Sequence, residues 1–473
     1  MIPSLLKSLL FDPLPAFMDE DGEKRHRFRK RSRSEVDWIS SLPDCLLSQI
    51  LSNLPTKEAV KTSILSTRWR NLWKHVPSLD LANFDFSLYD PYHPEFVPFV
   101  DSFLDLNPCL HEFKLKYDSD GEIDHLSRWI NALVKRKVKH IDVTDESDVS
   151  LDFPIIPTTL LYTCESLVSL KLSGLTLPNP IPNLVSLPCL KTIYLTIAKF
   201  ADELALERLI PQCPVLESLV IDRSFCDDVE VLRVRSPSLL RFTHLSDCSE
   251  GLDEEELVVE IDAPRLEFLK VADHRVASFV LKDVASLVEA DIDTVFNLIC
   301  DKSFDPNDLQ KRNMIRGFLV GISTVKDMII ASSTLEVIYD YSRCEPLPLF
   351  SNLTFLRVEF YGYRWEMLPV FLESCPNLKS LVVGSIRGRE KEGVNILFQP
   401  QCFLSSLEYV KIERPLEGEA LEMKLVSYLL GNSRILKKLT LFLDVSIKAE
   451  ESAVLKELLT IPRLSSSCQV VVL

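Results

Sequence analysis

A repeated pattern of leucines between Leu110 and Leu436 constrains the fold of this chain more than any other feature. Each copy has a small or turn residue, then Leu-x-x-Leu and an alternating apolar stretch; residues 213–219 (CPVLESL) and 375–381 (CPNLKSL) are near copies. The weaker copies place their first anchor at Leu110, Val138, Leu167, Leu190, Leu239, Leu266, Leu287, Leu335, Leu353, Leu407 and Leu436. Most steps between anchors are 18 to 29 residues long, and the one step of 48 indicates a degenerate unit hidden near Lys311.

Periods of roughly 20–29 residues are those of leucine-rich repeats, whose units bury their leucines only against neighbouring units. Helical patterns over residues 125–134, 201–210 and 367–374 precede some of the anchors, so each unit is predicted to run helix, turn, strand. Stacked units would place their strands side by side on a concave wall and their helices outside. A predicted helix over 451–459 and a final strand over 469–473 would cap the end of the stack.

Between Trp38 and Trp73 the pattern becomes that of three short helices. Leu46, Leu47, Ile50, Leu51 and Leu54 share one helix face. Pro55 ends that helix, and Thr56 is placed to cap the next. Helices this short hold more apolar side chains than they can bury among themselves. The surplus must be covered either by the rest of the chain, as a cap on the repeats, or by another protein.

The composition excludes several classes of function. The balance of 53 basic and 69 acidic residues, a net charge of −16, repels nucleic acid on average. The twelve cysteines are spread singly and lack zinc-site spacing, which predicts reduced thiols and no metal site. Cys213 and Cys375, each followed by proline, are predicted to be small buried apolar residues. No run of 18 apolar residues occurs, so no membrane span is predicted.

Residues 1–35 are predicted to be a disordered basic segment: residues 1–18 are apolar but interrupted by charges and prolines, and residues 19–35 have too little apolar content to order themselves. Seven of the ten residues from Lys24 to Arg33 are Lys or Arg. This run fits a nuclear import signal or an anion-binding arm, and it fits a solvated linker equally well. The expected location is the nucleus, the cytoplasm or both.

No sequence motif of a catalytic site is found: the chain has no Gly-x-Ser-x-Gly elbow, phosphate loop or His-Glu-x-x-His. We therefore predict no catalytic residues and no cofactor. Asp253–Glu256 fits a metal site less well than a solvated loop. The run 135–137 (KRK) is either a local anion site or ordinary surface charge, and Trp129 and Trp365 either line a ligand groove or pack between repeats.

Residues 38–60 (WISSLPDCLLSQILSNLPTKEAV) and 62–73 (TSILSTRWRNLW) resemble an F-box of the form common in plants. Residues 404–410 (LSSLEYV), 426–432 (VSYLLGN), 462–463 and 467–470 resemble the FBD domain of plant F-box proteins with leucine-rich repeats. The resemblance and the repeat together imply an α/β fold in four parts. Residues 1–35 are the basic segment, 36–82 a three-helix F-box, 107–400 degenerate repeats forming a curved parallel sheet with outer helices, and 401–473 an FBD cap.

The resemblance also implies a role. F-box proteins of this type bind a Skp-type adaptor, which links them to a cullin and its RING subunit, while the repeats hold a protein substrate for ubiquitination. The matching adaptor-contact positions are Leu42, Pro43, Leu46, Leu47, Ile50, Leu51, Leu54, Pro55, Val60, Ile64 and Trp69.

Some of these residues are expected to pack within the F-box itself, and Leu42, Pro43 and Leu46 to face the adaptor most reliably. Two alternatives stay open. One is a scaffold that binds the adaptor without directing ubiquitin transfer, and the other is an enzyme with an unrecognised site.

Overall fold

The computed structural model describes residues 39, 41–86, 94–118, 123–146, 153–223, 229–246, 257–273, 277–296, 304–359, 367–384, 399–416, 420–443 and 448–473. The chain divides into two compact units, with the boundary between Leu190 and Lys191. The predicted disordered segment 1–35, the acidic run Asp253–Glu256 and Trp365 lie outside the described residues.

In the part of the first unit that the structure describes, short helices come first and are followed by parallel strands separated by helices. Its α-helices are α1 (Asp44–Leu51), α2 (Thr56–Lys61), α3 (Phe96–Leu106), α4 (Ile123–Lys135) and α5 (Thr158–Thr163). Its 3₁₀-helices span Thr62–Ile64, Trp69–His75, Asn83–Asp85 and Pro182–Leu184. Its strands are β1 (Ser78–Ala82), β2 (Glu112–Tyr117), β3 (His140–Asp145), β4 (Ser169–Ser173) and β5 (Thr176–Leu177).

Strands β1 to β4 lie side by side in chain order, and each pair is parallel. Alternate residues of each strand are buried, as expected of a sheet with one face on the core. One fully buried row runs across all four strands and consists of Leu79, Phe113, Ile141 and Leu170. The predicted anchors Leu110, Val138 and Leu167 are also fully buried, so the repeat pattern identifies the core of this unit correctly.

Gly174, just after β4, has a φ angle of +69°, and a side chain there would collide with the carbonyl oxygen of Asp145. We expect Gly174→Ala to lower the free energy of unfolding by about 2 kcal/mol or more, because the left-handed conformation and the clash add. Urea unfolding of the full chain measures this. Gly317→Ala is the matched control, because a Cβ there meets no atom within 4 Å. It should stabilise its helix by up to about 1 kcal/mol, and equal effects at both sites would contradict the prediction.

The second unit also alternates parallel strands with helices. Its strands are β6 (Thr192–Thr196), β7 (Lys199–Phe200), β8 (Ser218–Asp222), β9 (Val231–Arg235), β10 (Arg241–Ser246), β11 (Leu257–Asp262), β12 (Phe268–Asp273), β13 (Ala277–Asp283), β14 (Glu289–Thr294), β15 (Asp327–Ala331), β16 (Phe355–Glu359), β17 (Ser380–Val383), β18 (Tyr409–Leu416), β19 (Lys438–Leu443) and β20 (Gln469–Val472). Its helices are α6 (Leu204–Leu209), a 3₁₀-helix (Ile210–Gln212), α7 (Leu309–Gly321), α8 (Ser332–Ser342), α9 (Leu368–Glu373), α10 (Gln401–Ser405), α11 (Ala420–Asn432) and α12 (Lys448–Thr460).

The main sheet of this unit has the order β6-β8-β10-β12-β14-β15-β16-β17-β18-β19-β20, with every neighbouring pair parallel. A buried row crosses it through Ile193, Leu219, Phe242, Leu269, Ala290, Met328, Leu356, Leu381, Val410 and Leu439. The helix and final strand predicted near the end of the chain are present as α12 and β20. Cys213 and Cys375 are buried as predicted, and burial raises the pKa of the Cys213 thiol to about 12.

The helix-turn-strand expectation is wrong for the three middle repeats. There β9, β11 and β13 precede the anchors where helices were expected, and they form a second parallel sheet in the order β13-β11-β9. The segments alternate apolar and charged residues, as in VLRVR of β9, a period that favours strand over helix. In β11, the Glu260 carboxylate accepts a hydrogen bond from Lys282 and pairs with Arg233. Lys282 first, and then Arg233, hold the pKa of that carboxyl below its usual range.

The anchor predicted at Leu335 is also wrong. Leu335 is buried, but it lies within α8 rather than at the start of a strand. The anchor that precedes β15 is Val325, which is fully buried. The unit proposed near Lys311 is the helix α7, which belongs to one long repeat. Apolar residues 335, 337 and 338 fit a helix or a strand, so periodicity alone could not assign them.

Candidate protein-docking site

Helix α1 carries two rows of apolar side chains with opposite environments. Leu47 and Leu51, four residues apart, are 0% and 1% exposed. Leu46 and Ile50, also four apart, are 43% and 46% exposed. Each row lies along one side of the helix because 3.6 residues make a turn. One row therefore belongs to the core of this chain, and the other offers apolar surface to a partner.

The segments that follow α1 add to the exposed apolar surface. Ile64 is 74% and Leu65 65% exposed, and Leu54 and Ile39 are exposed as well. Pro43 and Pro55 are exposed, and Leu42 is half-buried. We call these the docking residues: Ile39, Leu42, Pro43, Leu46, Ile50, Leu54, Pro55, Ile64 and Leu65. Six of the 21 large apolar residues that are exposed among the described residues fall between 39 and 65, an enrichment typical of a protein contact.

Four of the eleven predicted contact positions point into the chain. Leu47, Leu51, Val60 and Trp69 are all buried, with Trp69 the least so at 6% exposed. Burial inside their own module leaves these side chains no surface for a partner, so we leave them out of the docking residues. The other seven predicted positions are accessible, and their contact with an adaptor stays a prediction.

Arg68, from the Ser-x-Arg-Trp-Arg motif, fixes the orientation of α1. Its guanidinium donates to the Asp44 carboxylate at 2.7 and 2.9 Å and to the backbone carbonyl of Leu42. These bonds tie the start of α1 to the segment that leads into the 3₁₀-helix Trp69–His75. Leu46 and Ile50 are therefore displayed on a helix that is held at its first turn.

The buried side of the module is anchored to the first repeat. Trp73 is stacked on Phe99 and Phe103 of α3, with ring centroids 6.0 and 6.2 Å apart. Thr56 does not cap its own helix as expected: the cap position is Pro55, and the Thr56 hydroxyl accepts the backbone N–H of Asp80 in β1 at 2.9 Å. The module thus covers the edge of the first strand and still exposes a second apolar surface. The rest of this chain therefore covers only part of the apolar surface of the F-box helices.

A further contact lies next to this junction. The Asp85 carboxylate accepts the N–H of Ala82 at 2.9 Å and lies 3.9 Å from the Lys57 ammonium of α2. Burial raises the pKa of Asp85 above its ordinary value, and the Ala82 hydrogen bond and Lys57 offset only part of that rise. The contact adds an electrostatic link between α2 and the end of β1.

A third face of α1 is polar. Cys45, Ser48, Gln49 and Ser52 line a cavity of about 670 Å³ whose other wall includes His111. The helix therefore has a core side, an apolar accessible side and a polar side. Substitutions at Gln49 consequently provide a control for substitutions at Ile50.

Sequence reasoning missed Ile39 and Leu65 as accessible apolar residues. Leu65 directly follows Ile64 in the sequence. Two adjacent apolar residues just after a short helix could have indicated exposed apolar surface. Ile39 lies just before α1, where no periodic pattern indicated its exposure.

The other candidate sites have structural explanations. Arg136 of the basic run donates to the backbone carbonyls of Leu104 and Asn107 at the C-terminal end of α3 and to that of Ala132 in α4, so it stabilises these helices. Trp129 is 1% exposed and donates to Asp101 at 2.8 Å, as expected of a core residue. Among the described residues, no three His, Cys, Asp or Glu side chains are grouped so as to hold a metal ion, and none of the helices has the length and apolar character of a membrane span.

Comparison with family models matches three regions of the chain. The F-box domain model matches residues 39–81, which contain all the docking residues. The model described as FBD-associated F-box protein At5g56370, LRR repeats, matches residues 126–282, and the FBD model matches 397–441. The domain limits drawn from the sequence stay predictions.

Similar proteins in Arabidopsis thaliana match nearly the whole chain. F-box/FBD/LRR-repeat protein At1g78750 and F-box/LRR-repeat protein 13 are each 64% identical, and each match covers 96% of this chain and 100% of the relative. FBD-associated F-box protein At1g66310 is 54% identical over the same shares. With its F-box module, parallel repeat sheet and FBD region, this chain belongs to the plant F-box/FBD/LRR-repeat family.

Proposed function

We propose that this F-box protein is the non-catalytic substrate-recognition subunit of a Skp–cullin–F-box ubiquitin ligase. The observation that carries the proposal is the split of α1 into a buried row, Leu47 and Leu51, and an accessible row, Leu46 and Ile50. A module that needed only to cap the repeats would have no use for the accessible row. A Skp-type adaptor would bury that row and link the chain to a cullin and its RING subunit.

The repeats supply the second half of the proposed function. Their strands present one side-chain face to the core and the other to solvent, over eleven neighbouring strands in the second unit. Such a face can hold a protein target while a charged conjugating enzyme reaches its lysines, so the chain acts by raising effective concentration. The proposal needs no cofactor, and it places the complex in the nucleus, the cytoplasm or both.

Reconstitution tests the proposal against the scaffold alternative. We expect the full chain to bring down a Skp-type adaptor and, through it, a cullin and a RING subunit, and to support ubiquitin transfer to proteins that it captures. The L46D/I50D variant should lose the adaptor, cullin and transfer together. Adaptor binding without cullin recruitment or transfer would favour the scaffold, and no adaptor binding would reject both.

The same variant serves as a substrate trap. Proximity labelling with the proteasome blocked should enrich targets on L46D/I50D, because they bind without being consumed. A point variant is better than deletion of the F-box, since deletion would strip the cover from β1 and leave Phe99 and Phe103 without Trp73.

A further inference from the structure

The main sheet of the second unit has a gap between two aromatic side chains at the amino-terminal ends of its strands. Ser380, the first residue of β17, pairs with Phe355 of β16 and with Tyr409 of β18. The residues that follow Phe355 and Tyr409, Leu356 and Val410, are buried, so the two aromatic rings lie on the solvent face. Because serine is small, it leaves open space between the rings. We call Phe355, Ser380 and Tyr409 the aromatic gap.

The width of the aromatic gap matches one flat ring. Neighbouring strands are about 4.8 Å apart, so the backbones that carry Phe355 and Tyr409 are separated by about 10 Å. A ring inserted midway would lie about 5 Å from each of them, a distance that aromatic pairs prefer. Tyr409 is 45% exposed, and Phe355 contacts no other aromatic ring in the described part of the chain. The fold therefore leaves part of this apolar surface uncovered.

Tyr409 is held from the side opposite the gap. The Lys437 ammonium lies 6.0 Å from the centroid of the Tyr409 ring and 2.7 Å from the carboxylate of Glu408. Lys437 directly precedes β19, which is the neighbour of β18 on the side away from β17. The cation therefore occupies one face of the ring, and the other face is left for a ligand above Ser380.

Two exposed lysines beside the gap, Lys379 and Lys438, make no ion pair among the described residues. Lys379 directly precedes Ser380, and Lys438 pairs with Tyr409 in the ladder between β18 and β19. Both ammonium groups therefore stand on the side of the gap towards β19. A carboxylate bound there would gain charge-assisted hydrogen bonds without displacing a carboxylate of this chain.

The other flank of the gap is acidic. Asp327 of β15 pairs with Phe355, and Glu289 of β14 pairs with Asp327. A nucleic acid needs cations along its whole backbone, so these carboxylates disfavour it, as does the net charge of −16. A protein segment with one aromatic residue, and with acidic residues on one side of it only, is complementary to both flanks.

We infer that the aromatic gap binds an aromatic side chain of the protein that the repeats hold, while Lys379 and Lys438 bind acidic side chains next to it in the same segment. The inference rests on the proposed function for the origin of its ligand. It gives the proposed substrate a chemical requirement, an accessible aromatic residue with carboxylates on one side. Stacking fixes the position of that residue, and the unequal charge of the two flanks fixes the direction of the segment across the strands.

Peptide binding to the full chain, followed by fluorescence anisotropy of a labelled peptide, tests the site. The probes are seven-residue alanine peptides with a central phenylalanine and two glutamates either before or after it. We expect one of the two orders to bind in a saturable way, and binding of neither would overturn the inference. Replacing the phenylalanine by alanine should weaken that peptide about tenfold or more, and replacing the glutamates by glutamine about threefold or more.

Three outcomes of these titrations contradict the inference. Equal binding of the peptide without phenylalanine would overturn the aromatic gap as the site. Equal binding of the glutamine peptide would overturn the role of the lysines. A single-stranded thymidine oligonucleotide that bound as tightly as the phenylalanine peptide would overturn a protein segment as the ligand.

A variant that fills the gap locates the binding on the sheet. Ser380→Tyr places a ring of this chain between Phe355 and Tyr409 and should weaken the phenylalanine peptide about tenfold or more. Ser218→Tyr is the matched control, because Ser218 holds the same position in the near copy CPVLESL and is also half-buried. Its neighbours are not aromatic, and it should bind the peptide like the wild type. An equal loss in both variants would overturn the site.

A second variant tests the charge and does not depend on how Ser380→Tyr folds. Lys379→Gln should weaken the glutamate peptide about threefold and leave binding of the glutamine peptide unchanged. Lys139→Gln is its control, since Lys139 is also exposed, directly precedes a strand and makes no ion pair among the described residues. An unchanged dissociation constant for Lys379→Gln, or an equal loss in Lys139→Gln, would overturn the role of Lys379.

Adaptor binding of the same preparations separates this inference from the proposed function. Loss of peptide binding with adaptor binding intact is the result expected of Ser380→Tyr. If the wild-type chain binds the adaptor but neither phenylalanine peptide, the inference fails and the proposed function stands. If it binds a phenylalanine peptide but no adaptor, the proposed function fails and the aromatic gap stands as a binding site.

Discussion

Replacing Leu46 and Ile50 together by aspartate is expected to weaken adaptor binding at least about a hundredfold and to change the free energy of unfolding by less than about 1 kcal/mol. Both side chains are more than two-fifths exposed, so the folded chain loses little packing. In a complex they would be buried, and each would contribute about 2 kcal/mol or more at the centre of an interface. A buried, unpaired carboxylate adds a desolvation penalty to that loss.

Calorimetric titration with a Skp-type adaptor, together with thermal unfolding, separates the two effects. Gln49→Asp is the matched control, because Gln49 lies on the same helix but on the side that lines the cavity shared with His111. It should bind the adaptor like the wild type. Leu47→Asp should behave in the opposite way, unfolding the module because Leu47 is fully buried. An unchanged dissociation constant for L46D/I50D would remove the basis for the proposed function.

The sequence was sufficient to predict the α/β repeat architecture, because the leucine spacing is a direct consequence of the packing. Residues such as Leu110, Val138 and Leu216 recur at the repeat period, and the structure buries each of them. The helix at residues 125–134 and the final strand near residue 469 were predicted for the same reason. Such periodic patterns identify a helix or strand whenever one face of that element is buried, whatever the element packs against.

The division of α1 into two rows was not predictable from that helix alone. Leu46 and Leu47 are adjacent and equally apolar, and their different exposure follows from contacts with distant segments such as the 3₁₀-helix Trp69–His75.

Replacing Trp73 by alanine is expected to lower the free energy of unfolding by about 3–5 kcal/mol, the typical cost of deleting a large buried aromatic side chain. Trp73 is 3% exposed and is stacked on Phe99 and Phe103, which are themselves buried. Its indole N–H also donates to the carbonyl of Arg70 at 3.1 Å. The substitution therefore leaves a cavity at the junction between the F-box and helix α3 of the first repeat.

Urea unfolding measures this cost, and hydrogen exchange of amides 41–75 reports whether the F-box loosens first. Trp73→Phe, which keeps an aromatic ring, should cost less than half as much as Trp73→Ala. Ile64→Ala is the control for exposure: at 74% exposed, it should change stability by less than about 0.5 kcal/mol while weakening adaptor binding. If Trp73→Ala unfolded at the wild-type urea concentration, the stacking at this junction would not hold the F-box on the repeats. The accessible leucines would then sit on a loosely tethered module, and a bound adaptor would have no fixed orientation relative to the first repeat.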